Sequence, residues 1–198
     1  MKNKFSKIAL CSILAASVTC TSVLAESMAA QIKKRATEIA ELKAMLNDPD
    51  QSIRLAALDT MLKSEDTAMR ELAYNLGLNS ADDAVRAITL RNKFNELSTL
   101  ALNVTLPENS DKKAKGVFDS YAGSGIYLIT FEKYEESKGQ FKFKDQANSS
   151  GKDGSISGLT LSFKGYYCNG SMALNEESEF QGSLNCKGYS YPIKATVI

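Results

Sequence analysis

The chain has 198 residues, of which 24 are lysine or arginine and 23 are aspartate or glutamate, and it contains no histidine. The lack of histidine excludes Ser-His-Asp and Cys-His nucleophile systems, histidine zinc sites and the most common general base. The balanced charge leaves no basic stripe or tail that could neutralise phosphates. We therefore expect a protein that is not an enzyme, needs no cofactor or metal, and does not bind nucleic acid.

The first 25 residues have the pattern of a secretory signal peptide. Lys2, Lys4 and Lys7 precede an apolar run at residues 8–18, which is too short to span a bilayer, and Val-Leu-Ala at 23–25 offers a cleavage site. No later apolar stretch is long enough to cross a membrane. We predict a periplasmic or secreted protein without a transmembrane segment in its mature chain. The pattern leaves lipidation of Cys20 open.

Residues 26–98 are predicted to form a helical repeat domain. Apolar residues recur at helical spacing between Met28 and Leu46, which predicts one amphipathic helix. Residues 47–50 end this helix. Three arginines then recur 16 residues apart, at Arg54, Arg70 and Arg86. Each follows an aspartate by four residues, at Asp50, Asp66 and Asp82. The pattern predicts units of one turn and one helix, with the acidic residue where the helix dipole favours it.

Two segments of this repeat resemble HEAT-like helical repeats: Asp-Pro-Asp-x-x-Ile-Arg-x-x-Ala at residues 48–57 and Asp-Asp-Ala-Val-Arg-Ala at residues 82–87. The resemblance covers about residues 48–97, and it implies a short stack in which the aspartates and arginines form a structural ladder between helices. On the residues alone, each arginine pairs with the aspartate before it or with that of the next helix, or the arginines form an anion-binding row. A stack this short needs something to cover its open ends.

Residues 99–198 are predicted to form an antiparallel β domain, because the apolar period changes to alternation near residue 100. Strands are expected at 100–106, 126–134, 140–144, 159–163, 166–174, 178–187 and 189–197. Residues 109–115 are expected to be a charged link, and residues 146–155 a polar loop or hairpin tip. The fold class is therefore α+β, a short HEAT-like stack followed by a small antiparallel β-sandwich or partly open barrel with one disulfide.

The disulfide is predicted between Cys168 and Cys186, the two cysteines that remain after removal of the leader. If residues 175–179 form the loop between two strands, these cysteines lie opposite each other, and so do Leu174 and Phe180. One face of this hairpin is then apolar and the other polar, as a half-buried antiparallel sheet requires. We expect the bridge to be structural.

Three tyrosines, Tyr167, Tyr189 and Tyr191, are candidate ligand-binding residues because they lie on two neighbouring segments and could stack on a sugar or anchor a partner. The alternative is that they pack in the core or at a strand edge. Alternation places Tyr166 on the core face with Cys168 and leaves Tyr167 on the open face.

Two functions compete on these observations. The first is a non-catalytic exported protein that acts as a protein–protein interaction module, whose partner is another envelope protein. The second is a glycan-binding or small-ligand-binding protein that uses the β domain. A carboxylate-based hydrolase is a third and weaker hypothesis, because the glutamates cluster near predicted turns, where solvated charge is the ordinary explanation.

Overall fold

The computed structural model of the protein describes residues 27–146 and 148–197, so the predicted signal peptide lies outside the described residues. The described residues form five helices and eight strands, which confirms the α+β class. Contacts divide the chain into two compact units, one ending at Glu38 and the other beginning at Ile39. In the first unit, residues 28–38 form the first part of helix α1. All contacts discussed below lie within the second unit.

Four helices precede the sheet. They are α1 (Met28–Leu46), α2 (Gln51–Leu62), α3 (Thr67–Leu78) and α4 (Asp83–Glu96). The repeated aspartates Asp50, Asp66 and Asp82 are the N-cap residues of α2, α3 and α4, and each side chain accepts the backbone N–H two residues later at 2.8 Å. These bonds satisfy donors that the first turn of a helix leaves without an intrahelical partner. The aspartate repeat therefore determines where these three helices begin.

The helices contribute to two buried clusters. One cluster lies among the helices and includes Leu58, Met61 and Tyr74. The other begins with Leu78, Leu90 and Phe94 and continues into the interior of the sheet. Helices α3 and α4 are thus packed onto the β structure through a shared apolar core.

The eight strands form one closed antiparallel barrel in which each strand pairs with its neighbours in sequence. They are β1 (Thr99–Val104), β2 (Ile126–Glu135), β3 (Gln140–Asp145), β4 (Asn148–Ser157), β5 (Thr160–Lys164), β6 (Cys168–Leu174), β7 (Glu179–Cys186) and β8 (Tyr189–Thr196). The barrel closes where β8 pairs with β1, with Asn103 opposite Lys194 and Val104 opposite Ile193. The sheet is therefore neither a sandwich nor partly open, because its first and last strands are hydrogen-bonded to each other.

Two predicted irregular segments have regular structure. Helix α5 (Lys112–Ala122) begins in the segment expected to be a charged link, after the N-cap Asp111, and strand β4 occupies most of the expected polar loop. One inward position of β4 has no room for a side chain, because a Cβ at Gly154 would lie 2.1 Å from the ring of Phe141. The neighbouring aromatic ring occupies the space that a β4 side chain would otherwise fill.

The predicted hairpin register is confirmed. Strand β6 pairs with β7 so that Cys168 lies opposite Cys186 and Leu174 lies opposite Phe180. The disulfide between the two cysteines is present, and both are buried.

The interior of the barrel is filled, and both of its ends are covered by helices. Inward side chains such as Leu102, Ile129 and Phe180 are fully buried in one continuous cluster. At one end, the ring of Phe94 in α4 lies 5.3 Å from that of Phe131. At the other end, α5 covers the barrel, and the ring of its Phe118 lies 5.6 Å from that of Tyr191. The surfaces available to a partner are consequently on the outside and around the rims.

Candidate functional site

The arginine of the first repeat unit bridges two helices. Arg54 donates from Nε to the Asp82 carboxylate at 3.2 Å and from Nη1 to the carbonyls of Asp48 and Pro49 at 2.7 and 3.0 Å. This contact skips α3 and joins the first turn of α2 to the cap of α4. The Arg54 guanidinium is the main reason why the pKa of Asp82 lies below its ordinary value.

The other two arginines are also used within the fold. Arg70 donates to the carbonyls of Ser64 and Glu65 at 2.8 and 3.2 Å, and it forms an ion pair with Glu96 at 3.6 Å. Arg86, which is buried, donates from Nε to the Leu78 carbonyl at 3.0 Å. Its Nη2 donates to the carbonyl of Asn175 in the β6–β7 turn. The three guanidinium groups therefore hold turns and helices together, and the geometry does not present them as an anion-binding row.

Tyr191 is a core residue. Its side chain is 1% exposed, and its hydroxyl donates to the Ala114 carbonyl at 2.7 Å beneath α5. Burial raises the pKa of Tyr191 above its ordinary value. Tyr189, at the start of β8, is half-buried and packs against the same core. The geometry favours the core-packing alternative for Tyr191, because the inner face of β8 directs its side chain under α5.

An exposed aromatic surface lies at the α5 end of the barrel, and we call its members Tyr121, Tyr166, Tyr167, Lys152 and Lys187 the tyrosine rim. The rings of Tyr166 and Tyr167 meet edge to face with centroids 4.5 Å apart, and the Tyr121 ring lies 5.4 Å from that of Tyr167. The ammonium group of Lys187 lies 4.2 Å from the Tyr167 centroid, and that of Lys152 lies 5.3 Å from the Tyr166 centroid.

The two adjacent tyrosines are oriented opposite to the prediction. Tyr166 is 65% exposed, whereas Tyr167 is half-buried against the core. Strand β6 begins only at Cys168, so the alternation of the strand does not extend back to Tyr166. Sequence reasoning also missed Tyr121, Lys152 and Lys187. The apolar spacing within residues 114–122 could have revealed Tyr121, but the two lysines become neighbours of the rings only in the folded barrel.

A buried polar pair supports this rim from below. The Tyr127 hydroxyl donates to the Asp145 carboxylate at 2.5 Å, and burial is the main reason why the pKa of Tyr127 is raised. The Gly165 N–H donates to the Cys168 carbonyl at 2.8 Å. A Cβ at Gly165 would lie 2.6 Å from an Asp145 carboxylate oxygen, so a side chain there requires the loop to move. The loop that carries Tyr166 is thus held in a defined position.

An open groove of about 390 Å³ lies on the outer wall beside the rim. Its polar lining comes from Gln140, Asp153, Ser155, Ser162 and Lys164. The end of the groove at Asp153 and Lys164, which pair across β4 and β5, is the end nearer the rim, because Lys164 directly precedes the loop that carries Tyr166. The charged groups of Asp153 and Lys164 are therefore closest to the exposed Tyr166 ring, and the hydroxyls of Ser155 and Ser162 and the Gln140 amide lie farther along the groove.

Within residues 27–146 and 148–197, no cluster of three or more metal-ligating side chains is placed to hold a metal ion. No helix in this described part is both long and apolar enough to cross a membrane. No protein-family model matches the sequence, and no curated protein is significantly similar to it.

Proposed function

We propose that the protein is a non-catalytic, exported interaction module that binds another envelope protein through the open end of its helical layer. The observation that carries this proposal is a difference between equivalent repeat positions. Met69 and Val85 are 5% and 1% exposed, whereas Ile53, at the same position of the first repeat unit, in α2, is 41% exposed. A position that is buried in the later repeat units but uncovered in the first repeat unit marks a surface where a further element could pack.

The HEAT-like reading is part of this proposal. It is supported by the shared N-cap aspartates and by the carbonyl contacts that Arg54 and Arg70 make with the turns before their helices. Helices α2, α3 and α4 therefore begin with the same local structure, which suits a scaffold that presents a surface. Export is supported by the disulfide, since such bonds persist mainly in oxidising compartments, and by the leader-like pattern of residues 1–25.

The test is site-specific photocrosslinking in the native cell envelope. A photoreactive amino acid at Ile53 should yield one dominant protein adduct, identified by mass spectrometry. The matched control is the same amino acid at Ile88, an isoleucine of α4 that is 38% exposed, which should yield no such adduct. The Ile53→Glu variant should lose the complex and change the free energy of unfolding by less than about 0.5 kcal/mol, because the site is at the surface. Equal adducts at both positions, or none at Ile53, would refute the proposal.

A further inference from the structure

The tyrosine rim is a second surface with its own chemistry, and it lies on the barrel rather than on the helical layer. Its outer ring, Tyr166, is 65% exposed although it packs against Tyr167, whose ring also contacts that of Tyr121. A large exposed ring contributes little to the stability of the fold, whereas clustered tyrosines offer a ligand an apolar face and a polar edge at low cost in conformational entropy. The arrangement is therefore suited to binding a flat, partly apolar group.

The rim is also positively charged. Lys152 and Lys187 lie over the faces of Tyr166 and Tyr167. Neither ammonium group has a carboxylate partner among the ion pairs of the described residues. Lys133, Lys142 and Lys144, by contrast, all pair with acidic side chains. An anionic group can thus approach the rim without displacing an existing partner.

The rim is held in place before any ligand binds. The Lys187 N–H donates to the Tyr167 carbonyl at 3.2 Å, and the disulfide joins the residues that directly follow Tyr167 and precede Lys187. A site whose parts are already fixed loses less conformational entropy on binding. Preorganisation of this kind allows a ligand that makes only a few contacts to bind.

The neighbouring surface favours a saccharide over a peptide. Serine hydroxyls and the Gln140 amide line the groove beside the rim, and they match the hydroxyl groups of a sugar. An extended peptide commonly binds by adding a strand to a free sheet edge, but the barrel is closed by the pairing of β8 with β1. The apolar face of a sugar ring can stack on Tyr166 while its substituents reach the groove.

We propose that the tyrosine rim binds a carboxylated saccharide, with a sugar ring stacked on Tyr166 and the carboxylate paired with Lys152 or Lys187. Neighbouring sugar units follow the groove and hydrogen-bond to Ser155 and Ser162. This role is separate from the binding of an envelope protein at the helical layer, and it requires no bond to be made or broken.

The experiment uses isothermal titration calorimetry with the purified, disulfide-bonded protein. The probes are an oligogalacturonate and the same oligomer fully methyl-esterified, which keeps the rings and removes the charge. We expect the acid to bind more tightly than the ester. Tyr166→Ala should weaken binding of the acid about tenfold or more, and Tyr166→Phe should retain it, because stacking requires the ring. The Lys152→Met and Lys187→Met double variant should bind the acid about three- to tenfold more weakly and should lose most of the preference for the acid over the ester.

The matched control is Lys133→Met, which removes an exposed lysine near the opposite end of the barrel and should leave affinity unchanged. Failure of both oligomers to bind, equal binding of acid and ester, or unchanged binding by Tyr166→Ala would each overturn the proposal. Tighter binding of poly-glutamate or of single-stranded DNA would overturn it in favour of another class of macromolecule. The outcome is independent of the crosslink expected at Ile53.

Discussion

The buried arginine of α4 offers a quantitative test of how the helical layer is attached to the barrel. Arg86→Met keeps most of the side-chain volume and removes the donors to Leu78 and Asn175. It also removes an ion pair with Asp83, which contributes little because the Asp83 side chain is 80% exposed. The Leu78 carbonyl keeps a second donor, because the Ser178 hydroxyl also binds it at 3.0 Å. The main loss is therefore one charge-assisted bond to Asn175, and we expect unfolding free energy to fall by about 2–3 kcal/mol.

Urea denaturation is the appropriate assay, with far-ultraviolet circular dichroism following the helices and tyrosine fluorescence following the barrel. Arg70→Met is the matched control, because Arg70 occupies the same repeat position but its side chain is 28% exposed and its contacts stay within the helical layer. We expect Arg70→Met to lower the free energy of unfolding by about 1 kcal/mol. If Arg86→Met costs no more than Arg70→Met, the bond across to the β6–β7 turn does not fasten the layer to the barrel, and the reasoning fails.

Three further predictions concern the disulfide, acid stability and the rim loop. Replacing Cys168 and Cys186 by alanine releases a loop with a sequence separation of 18 and should lower unfolding free energy by about 3 kcal/mol in urea titration; a loss below about 1 kcal/mol would contradict this. Bonding to Arg54 lowers the pKa of Asp82 in the folded state. The stability that the Asp82 carboxylate contributes to the fold is therefore complete above its unfolded-state pKa of about 4 and declines as the pH falls toward its folded-state pKa. The stability difference between the wild type and Asp82→Asn should accordingly be constant from about pH 7 to 5 and shrink below about pH 4; an unchanged difference at about pH 2.5 would contradict it. Gly165→Ala, which places a Cβ 2.6 Å from a carboxylate oxygen and 2.7 Å from a carbonyl, should cost about 1–3 kcal/mol and alter the near-ultraviolet tyrosine signal.

Local patterns in the sequence were sufficient for helices α1 to α4 and for the disulfide hairpin. The helix between Met28 and Leu46 and the three aspartate caps follow from spacing and capping chemistry, which act within a few residues. The register of β6 and β7 follows from one short loop and from the alternation of apolar and polar residues. In each case the interactions that fix the structure lie close together in the chain.

The missed elements depend on distant residues or on a signal hidden by charge. Lysines at the start of α5 obscure the helical spacing of Ala114, Phe118 and Tyr121. Strand β4 lacks a large inner side chain at Gly154 because a ring from β3 fills that space, and this cannot be read from β4 alone. Closure of the barrel depends on pairing between its first and last strands. The candidate site was only partly predicted for the same reason, since its two lysines reach the tyrosines from β4 and from the β7–β8 turn.

The pairing of β1 with β8 also has a consequence for how the protein acquires its structure. The barrel can close only when Asn103 of β1 pairs with Lys194 of β8, which is separated from it in the chain by six other strands. Pairing of such distant strands is slow, because the entropy of closing a long loop is lost before the contact is gained. Until then, β1 presents an unpaired edge that could join another chain. During synthesis from the N-terminus, the protein is therefore exposed to misassembly until β8 is available to pair with β1.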